Sequence, residues 1–292
     1  MLGLTPVMGL DGKKLAAAAL ILAGLVLVYW HVLAGLINAW IVDGNYSHGW
    51  LIIPIAAYFA WERRDQLAAT PIAPSWFGLV VFAGGIAVLL AGLLGSELFV
   101  SRVSLLITLA GIVLFLFGWR HLKLLAFPLA FLLLMIPIPA IIFNRIAFPL
   151  QLLASRFGET AISAASIPVL REGNVLVLAN TQLEVAEACS GIRSLVSLIT
   201  LGLVFGYFAD RRGWVRALIV LSTIPVAIIA NGARVAGTGI LAHYYGAAAA
   251  EGFFHEFSGW VVFVVAFVMI LAIQRLILRL APKPREAAGA LA

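Results

Sequence analysis

Long apolar runs, separated by short segments that carry charge, proline or glycine, set the pattern of this chain. Predominantly apolar runs cover Leu15–Leu36, Phe77–Leu94, Val103–Phe117, Leu122–Ile136, Gly191–Phe208, Trp214–Ala230 and Trp260–Leu280. The hydrocarbon core of a bilayer is ~30 Å thick, and a helix needs about 20 apolar residues to cross it. No water is available there to satisfy backbone groups, so each such run is expected to be a helix. Gly49–Trp61 is shorter and holds Pro54. A tilted, a broken and a re-entrant segment all suit it. Counting it as a crossing makes the charge pattern below alternate, and the expectation is then about eight transmembrane helices. The first run exceeds the ~7–15 apolar residues of a cleaved signal peptide and reads as a retained anchor.

One stretch between runs is long, residues 139–188. Within it Ile141–Phe157 places apolar residues at helical spacing, with Asn144, Arg145, Gln151 and Arg156 between them. That pattern predicts an amphipathic helix lying in the membrane interface. Arg171-Glu172-Gly173-Asn174 and Asn180-Thr181 are turn signals around the β-like segments Val175–Leu178 and Gln182–Val185. They predict a small β-hairpin. The fold class is therefore an all-α polytopic membrane protein with a small extracytoplasmic β-hairpin and an interfacial helix. No linker or repeat divides the chain, so residues 1–292 are expected to form one domain, with no fused C-terminal domain.

Composition strengthens this reading. Hydrophobic residues make up 63% and charged residues 11% of the chain, against about 45–50% and about 25% in soluble domains. Soluble enzymes and nucleic-acid binders are excluded as first readings. The net charge of +6 reports topology rather than phosphate contacts. With eight crossings, Lys13, Lys14, Arg63, Arg64, Arg120, Lys123, Arg211, Arg212, Arg216, Arg275, Arg279, Lys283 and Arg285 fall on one side, the larger share of the 19 basic residues. Basic residues mark the cytoplasmic side. Both termini are then cytoplasmic. The opposite side holds Arg102, Arg145, Arg156, Arg171, Arg193 and Arg234, and most of the acids.

That outer side also gathers the chemistry-bearing residues. Cys189 is the one cysteine, so no internal disulfide forms. It stands where the predicted hairpin meets a helix start, and free N–H groups there favour a thiolate. Arg193 follows one turn later. A small buried thiol would equally suit a structural role. Arg234 lies in Asn231-Gly232-Ala233-Arg234, at the outer end of a span whose helix can continue toward Tyr244. An ionisable residue at membrane depth is expensive and points to function, whereas a snorkelling arginine would be bland. His255 opens the last helix and suits acid–base work; an interfacial histidine in an aromatic belt is the plainer reading. Gly259 stands where a zinc-protease motif needs its second histidine, so no metal site is expected. His48, near Asp43, is a second histidine on the same side, or simply part of a wet loop. A thiol, a histidine and an arginine together form a workable acyl-transfer set.

These segments resemble the exosortase/archaeosortase family, in its bacterial exosortase branch. Glu187-Ala188-Cys189-Ser190-Gly191-Ile192-Arg193-Ser194-Leu195 is similar to the family's cysteine motif, and Asn231-Gly232-Ala233-Arg234 to its arginine motif. His255 stands where its histidine is expected. Tyr46-Ser47-His48-Gly49 and Ile136-Pro137-Ile138-Pro139 resemble further segments of that branch. The resemblance implies a thiol protease or transpeptidase that sorts exported proteins. Its substrates carry a Pro-Glu-Pro-type C-terminal motif, a hydrophobic helix and a basic cluster, the PEP-CTERM signal associated with exopolysaccharide-producing bacteria. By the same resemblance Cys189 is the nucleophile, Arg234 the electrostatic helper and His255 the acid/base. Glu187, Ser190, Arg193, Asn231 and His48 are supporting candidates. No cofactor is implied, and lipid is the one other partner.

Three other readings stay open on the sequence. Ser190 beside Cys189 allows a serine-type intramembrane protease. Arg234 and His255 on a substrate path would suit a transporter, although no internal symmetry supports one. A membrane scaffold would need none of these polar residues.

Overall fold

Helices make up most of the described residues, as apolar runs of this length require. The computed structural model describes residues 12–179, 181–185, 192–210, 212–246 and 253–281. It divides into two units, Met1–Pro139 and Ala140–Ala292.

The first unit contains α1 (Gly12–Val28), α2 (Trp30–Val42), α3 (Gly49–Glu62), the short α4 (Arg64–Ala69), α5 (Phe77–Leu94), α6 (Leu98–Phe117) and α7 (Trp119–Phe131). The Leu15–Leu36 run is not one straight helix. It bends by 71° between α1 and α2, at Tyr29. Neither proline nor glycine sits at the break. Tyr29 is fully buried, and its hydroxyl lies 2.7 Å from Thr108 Oγ1 and 3.1 Å from Ser104 Oγ, on α6. A phenol buried among apolar side chains needs such partners, and they hold the bend. Gly49–Trp61 forms one continuous helix through Pro54.

α5 and α6 pack along a seam with a seven-residue repeat. A Cβ on Gly78 would lie 2.2 Å from the Phe115 amide nitrogen. One on Gly85 would lie 2.4 Å from Thr108 Oγ1, and one on Gly92 2.5 Å from Ser101 Oγ. Small residues at this repeat let two helix backbones approach closely, which drives association where lipid is as apolar as the side chains.

The second unit contains α8 (Ala140–Ala164), strands β1 (Val169–Glu172), β2 (Val175–Leu178) and β3 (Thr181–Glu184), then α9 (Ile192–Ala209), α10 (Gly213–Tyr245) and α11 (Phe253–Leu280). The segment Ile141–Phe157 is helical, within a helix that runs seven residues further at its C-terminal end. Its buried residues Phe143, Ala147, Gln151, Ala154, Ser155, Gly158 and Ile162 form one face. The expected hairpin is a three-stranded antiparallel sheet of order β1-β2-β3. Arg171 and Glu172 extend β1 instead of turning, and the turn is Gly173-Asn174 alone. Gly173 adopts a φ of 65°, the first-position glycine of a two-residue hairpin turn. Leu176, Leu178 and Val185 turn inward onto Ala154 and Ile162 of α8 and Val235 of α10. Arg171 Nε donates to Glu159 of α8 at 2.9 Å, and Ser155 donates to the Gly173 carbonyl at 3.0 Å. The sheet is thus pinned to two helices.

Among the described residues, α5, α6, α10 and the Gly259–Leu280 part of α11 are each long and apolar enough to cross a membrane. The number rises to six if α1 with α2, and α7 with α8, each count as one broken span. α9 is apolar but shorter. The protein is a multi-pass membrane protein.

Candidate functional site

Glycine fixes how α10 faces its neighbours. A Cβ on Gly232 would lie 2.6 Å from the Phe157 ring of α8, and one on Gly239 would lie 2.4 Å from Ile162 Cδ1. From the other helix, a Cβ on Gly158 would meet Val235 Cγ1 at 2.7 Å. α8 and α10 therefore lock together at 232, 235 and 239, which share a helix face. Asn231 beside this contact is 4% exposed. With that face committed to α8, Arg234 sits elsewhere on the helix and is half-buried.

The guanidinium of Arg234 lies over Gly259 of α11. A Cβ on Gly259 would stand 3.3 Å from Arg234 Nη2, 3.4 Å from Cζ and 3.6 Å from Nη1. The absence of a side chain at 259 makes the seat. His255 lies in the first turn of α11, four residues earlier, and helix positions four apart share a face. The structure thus places the Arg234 guanidinium beside Gly259, one helical turn along α11 from position 255. Sequence reasoning registered Gly259 only as a missing second histidine. Its role as a seat depends on packing between helices, which the local sequence does not display.

Arg193 is in the first turn of α9 and is exposed. Glu187, Cys189 and Ser190 lie outside the described residues. Val185, the last described residue before them, is 2% exposed, and its N–H donates to the Asn174 carbonyl at 2.9 Å. The chain therefore leaves a firmly anchored strand on its way to the cysteine.

His48 belongs to the first unit. Its Nε2 lies 3.3 Å from the Leu134 carbonyl. Burial holds its pKa below the ordinary histidine value, against hydrogen bonds to the Leu134 and Asn45 backbone that favour the proton. Nearby, Tyr46 accepts the Ile138 N–H at 3.0 Å, and burial raises its phenol pKa. Among the described residues, no three His, Cys, Asp or Glu side chains stand together as a metal site.

Chemically, a guanidinium beside a helix backbone supplies positive charge of the kind that stabilises an oxyanion.

Comparison with curated proteins and with solved structures returned no match. A family model described as transmembrane exosortase matches residues 40–272, a range that takes in the glycine-locked α8–α10 pair, the cysteine segment, Arg234 and His255. The chain therefore belongs to the transmembrane exosortases, membrane enzymes of the peptidase and transpeptidase class that sort proteins bearing sorting signals.

Proposed function

We propose that this enzyme cuts C-terminal Pro-Glu-Pro-type sorting signals on the extracytoplasmic face of the bacterial inner membrane, with Cys189 as nucleophile. The observation that carries the reading is the seating of the Arg234 guanidinium over Gly259, one helical turn from His255. It supports a shared reaction centre for two motifs separated by 20 residues of sequence. Both termini are cytoplasmic in this reading, and α8 lies in the outer interface.

The chemistry runs in two steps. The Cys189 thiolate attacks the scissile carbonyl, and Arg234 stabilises the oxyanion. The C–N bond breaks, His255 gives its proton to the departing amine, and a thioester links the exported protein to Sγ. Water or an acceptor amine then attacks the thioester and restores the thiol. Asn231, Arg193, Glu187 and Ser190 support this centre.

The test is processing of a tagged membrane protein that carries a Pro-Glu-Pro-type signal. Cells with the wild type should shorten it, and cells with Cys189→Ala should not, at equal enzyme levels on parallel blots. Full processing by both Cys189→Ala and Cys189→Ser would overturn the thiol mechanism and point to Ser190.

A further inference from the structure

The β-sheet ends on an edge that leads directly to the cysteine segment. β3 pairs with β2 only along one side, in the register Val175↔Glu184, Leu176↔Leu183, Val177↔Gln182 and Leu178↔Thr181. The Val185 N–H bonds to the Asn174 carbonyl, which sets the phase of the ladder. In an antiparallel pair every second residue turns its N–H and C=O toward the partner strand. Thr181, Leu183 and Val185 therefore face β2. Gln182 and Glu184 turn their backbone groups outward, where they meet no partner among the described residues. The same two residues are the exposed ones of the strand, while Thr181 and Leu183 are half-buried.

An unpaired strand edge is a template for another extended chain. Natural proteins usually cover or blunt such edges. Here the edge is held rigidly: Leu183 lies against Gly239 of α10, and the sheet core is locked to α8 and α10. Cys189 follows Glu184 by five residues, a reach of at most ~18 Å along the chain. A peptide bond must be presented in extended form for a nucleophile to approach its carbonyl, and a strand added to β3 has that form.

We propose that the sorting-signal segment of the substrate binds as a fourth strand on the outer edge of β3, hydrogen-bonded to the backbone of Gln182 and Glu184. This inference rests on the function proposed above and names the binding mode at the same site. The strand contributes main-chain recognition that tolerates different side chains, and it delivers the segment toward Cys189.

Disulfide trapping tests it. Cys189→Ala removes the one native thiol, so Gln182→Cys in that background carries a single reporter. Substrates with single cysteines at consecutive positions around the cut site are oxidised with it in membranes. Cross-links at alternate substrate positions are expected, because strand side chains repeat every two residues. Cross-links spaced by three or four, none at all, or a cross-link between two copies of the enzyme would overturn the proposal. Wild-type enzyme is run beside the trap on the same substrates. If it cuts them and the alternating pattern is missing, strand addition fails while the proposed function stands. If it leaves them intact, that function fails and takes the fourth strand with it. As a second measurement, Gln182→Pro and Glu184→Pro delete outward N–H groups that the ladder does not use. Each should lower kcat/KM about 3- to 10-fold, the worth of one lost hydrogen bond. Unchanged kcat/KM in both would count against the strand.

Discussion

At the scale of single residues, the most informative position is Gly259. Its hydrogen lets the Arg234 guanidinium lie against the backbone of α11. Gly259→Ala introduces a Cβ at 3.3 Å from Nη2, tighter than an ordinary contact, and should slow processing several-fold. Gly259→Val should displace the guanidinium by about 1 Å and slow processing on the order of 100-fold, since misplacement of that size has such cost. The measurement is the initial rate of substrate shortening at matched enzyme levels. A rate for Gly259→Val equal to the wild type would mean that Arg234 does not act from this seat. The residues of the motifs were legible in the sequence, because their chemistry is written in side-chain type. The seat was not, since a glycine announces only what it lacks. Likewise Tyr29 gave no sign of a bend. Its partners Ser104 and Thr108 lie more than seventy residues away, beyond the reach of any local pattern.

At the scale of elements, helix pairing follows small residues rather than apolar ones. Gly84 and Gly85 are neighbours on α5, yet a Cβ on Gly84 meets nothing within 4 Å, while one on Gly85 meets the Thr108 backbone at 2.8 Å. Gly85→Leu should therefore force α5 and α6 apart at a cost of about 1–3 kcal/mol or more, and Gly84→Leu should not. Thermal unfolding in detergent would separate the two. A similar fall in both would show that helix propensity or detergent, not the seam, is being measured. The turn between α9 and α10 makes a second expectation. Arg212 donates to both carboxylate oxygens of Asp210, with the shortest contact at 2.6 Å. Those hydrogen bonds, then the charges of Arg212 and Arg216, hold the Asp210 pKa down to about 2 from 3.8. The folded state thus keeps its charge where the unfolded chain takes up a proton. The contribution is fully present above pH 3.8 and is lost as pH falls toward 2. Asp210→Asn should flatten that part of the stability profile, and an unchanged acid limb would remove the turn from the account. Periodicity made most helices legible here, as well as β2 and its turn. The extra strand β1 was not, because Arg171 and Glu172 read as turn formers until Glu159 on α8 captures the arginine.

For the whole molecule, the apolar pattern fixed the class and left the crossings undecided. Runs of similar hydropathy became a bent pair at Tyr29, a short helix at α3 and a single long rod at α10, because tertiary partners decide where each run breaks. Reporter fusions would place the ends. In the proposed topology, with both termini cytoplasmic, a fusion between α9 and α10 should light up green fluorescent protein. One at Gly173 should activate alkaline phosphatase, which folds only outside. The reverse pair of signals would invert the topology and detach the site from the exported face.

The length of α10 has a further consequence. Its 33 residues make a rod of about 50 Å, against ~30 Å of hydrocarbon. Trp214, at its start, is the kind of residue that rests at a membrane boundary. Counted from there, Arg234 stands ~30 Å along the helix; with Trp214 at one boundary, it would come where hydrocarbon gives way to headgroups. In the proposed reaction the helix is then a gauge: it would set the height above the bilayer at which bonds are cut, so a substrate would be chosen partly by how many residues separate its cleavage point from its own membrane anchor.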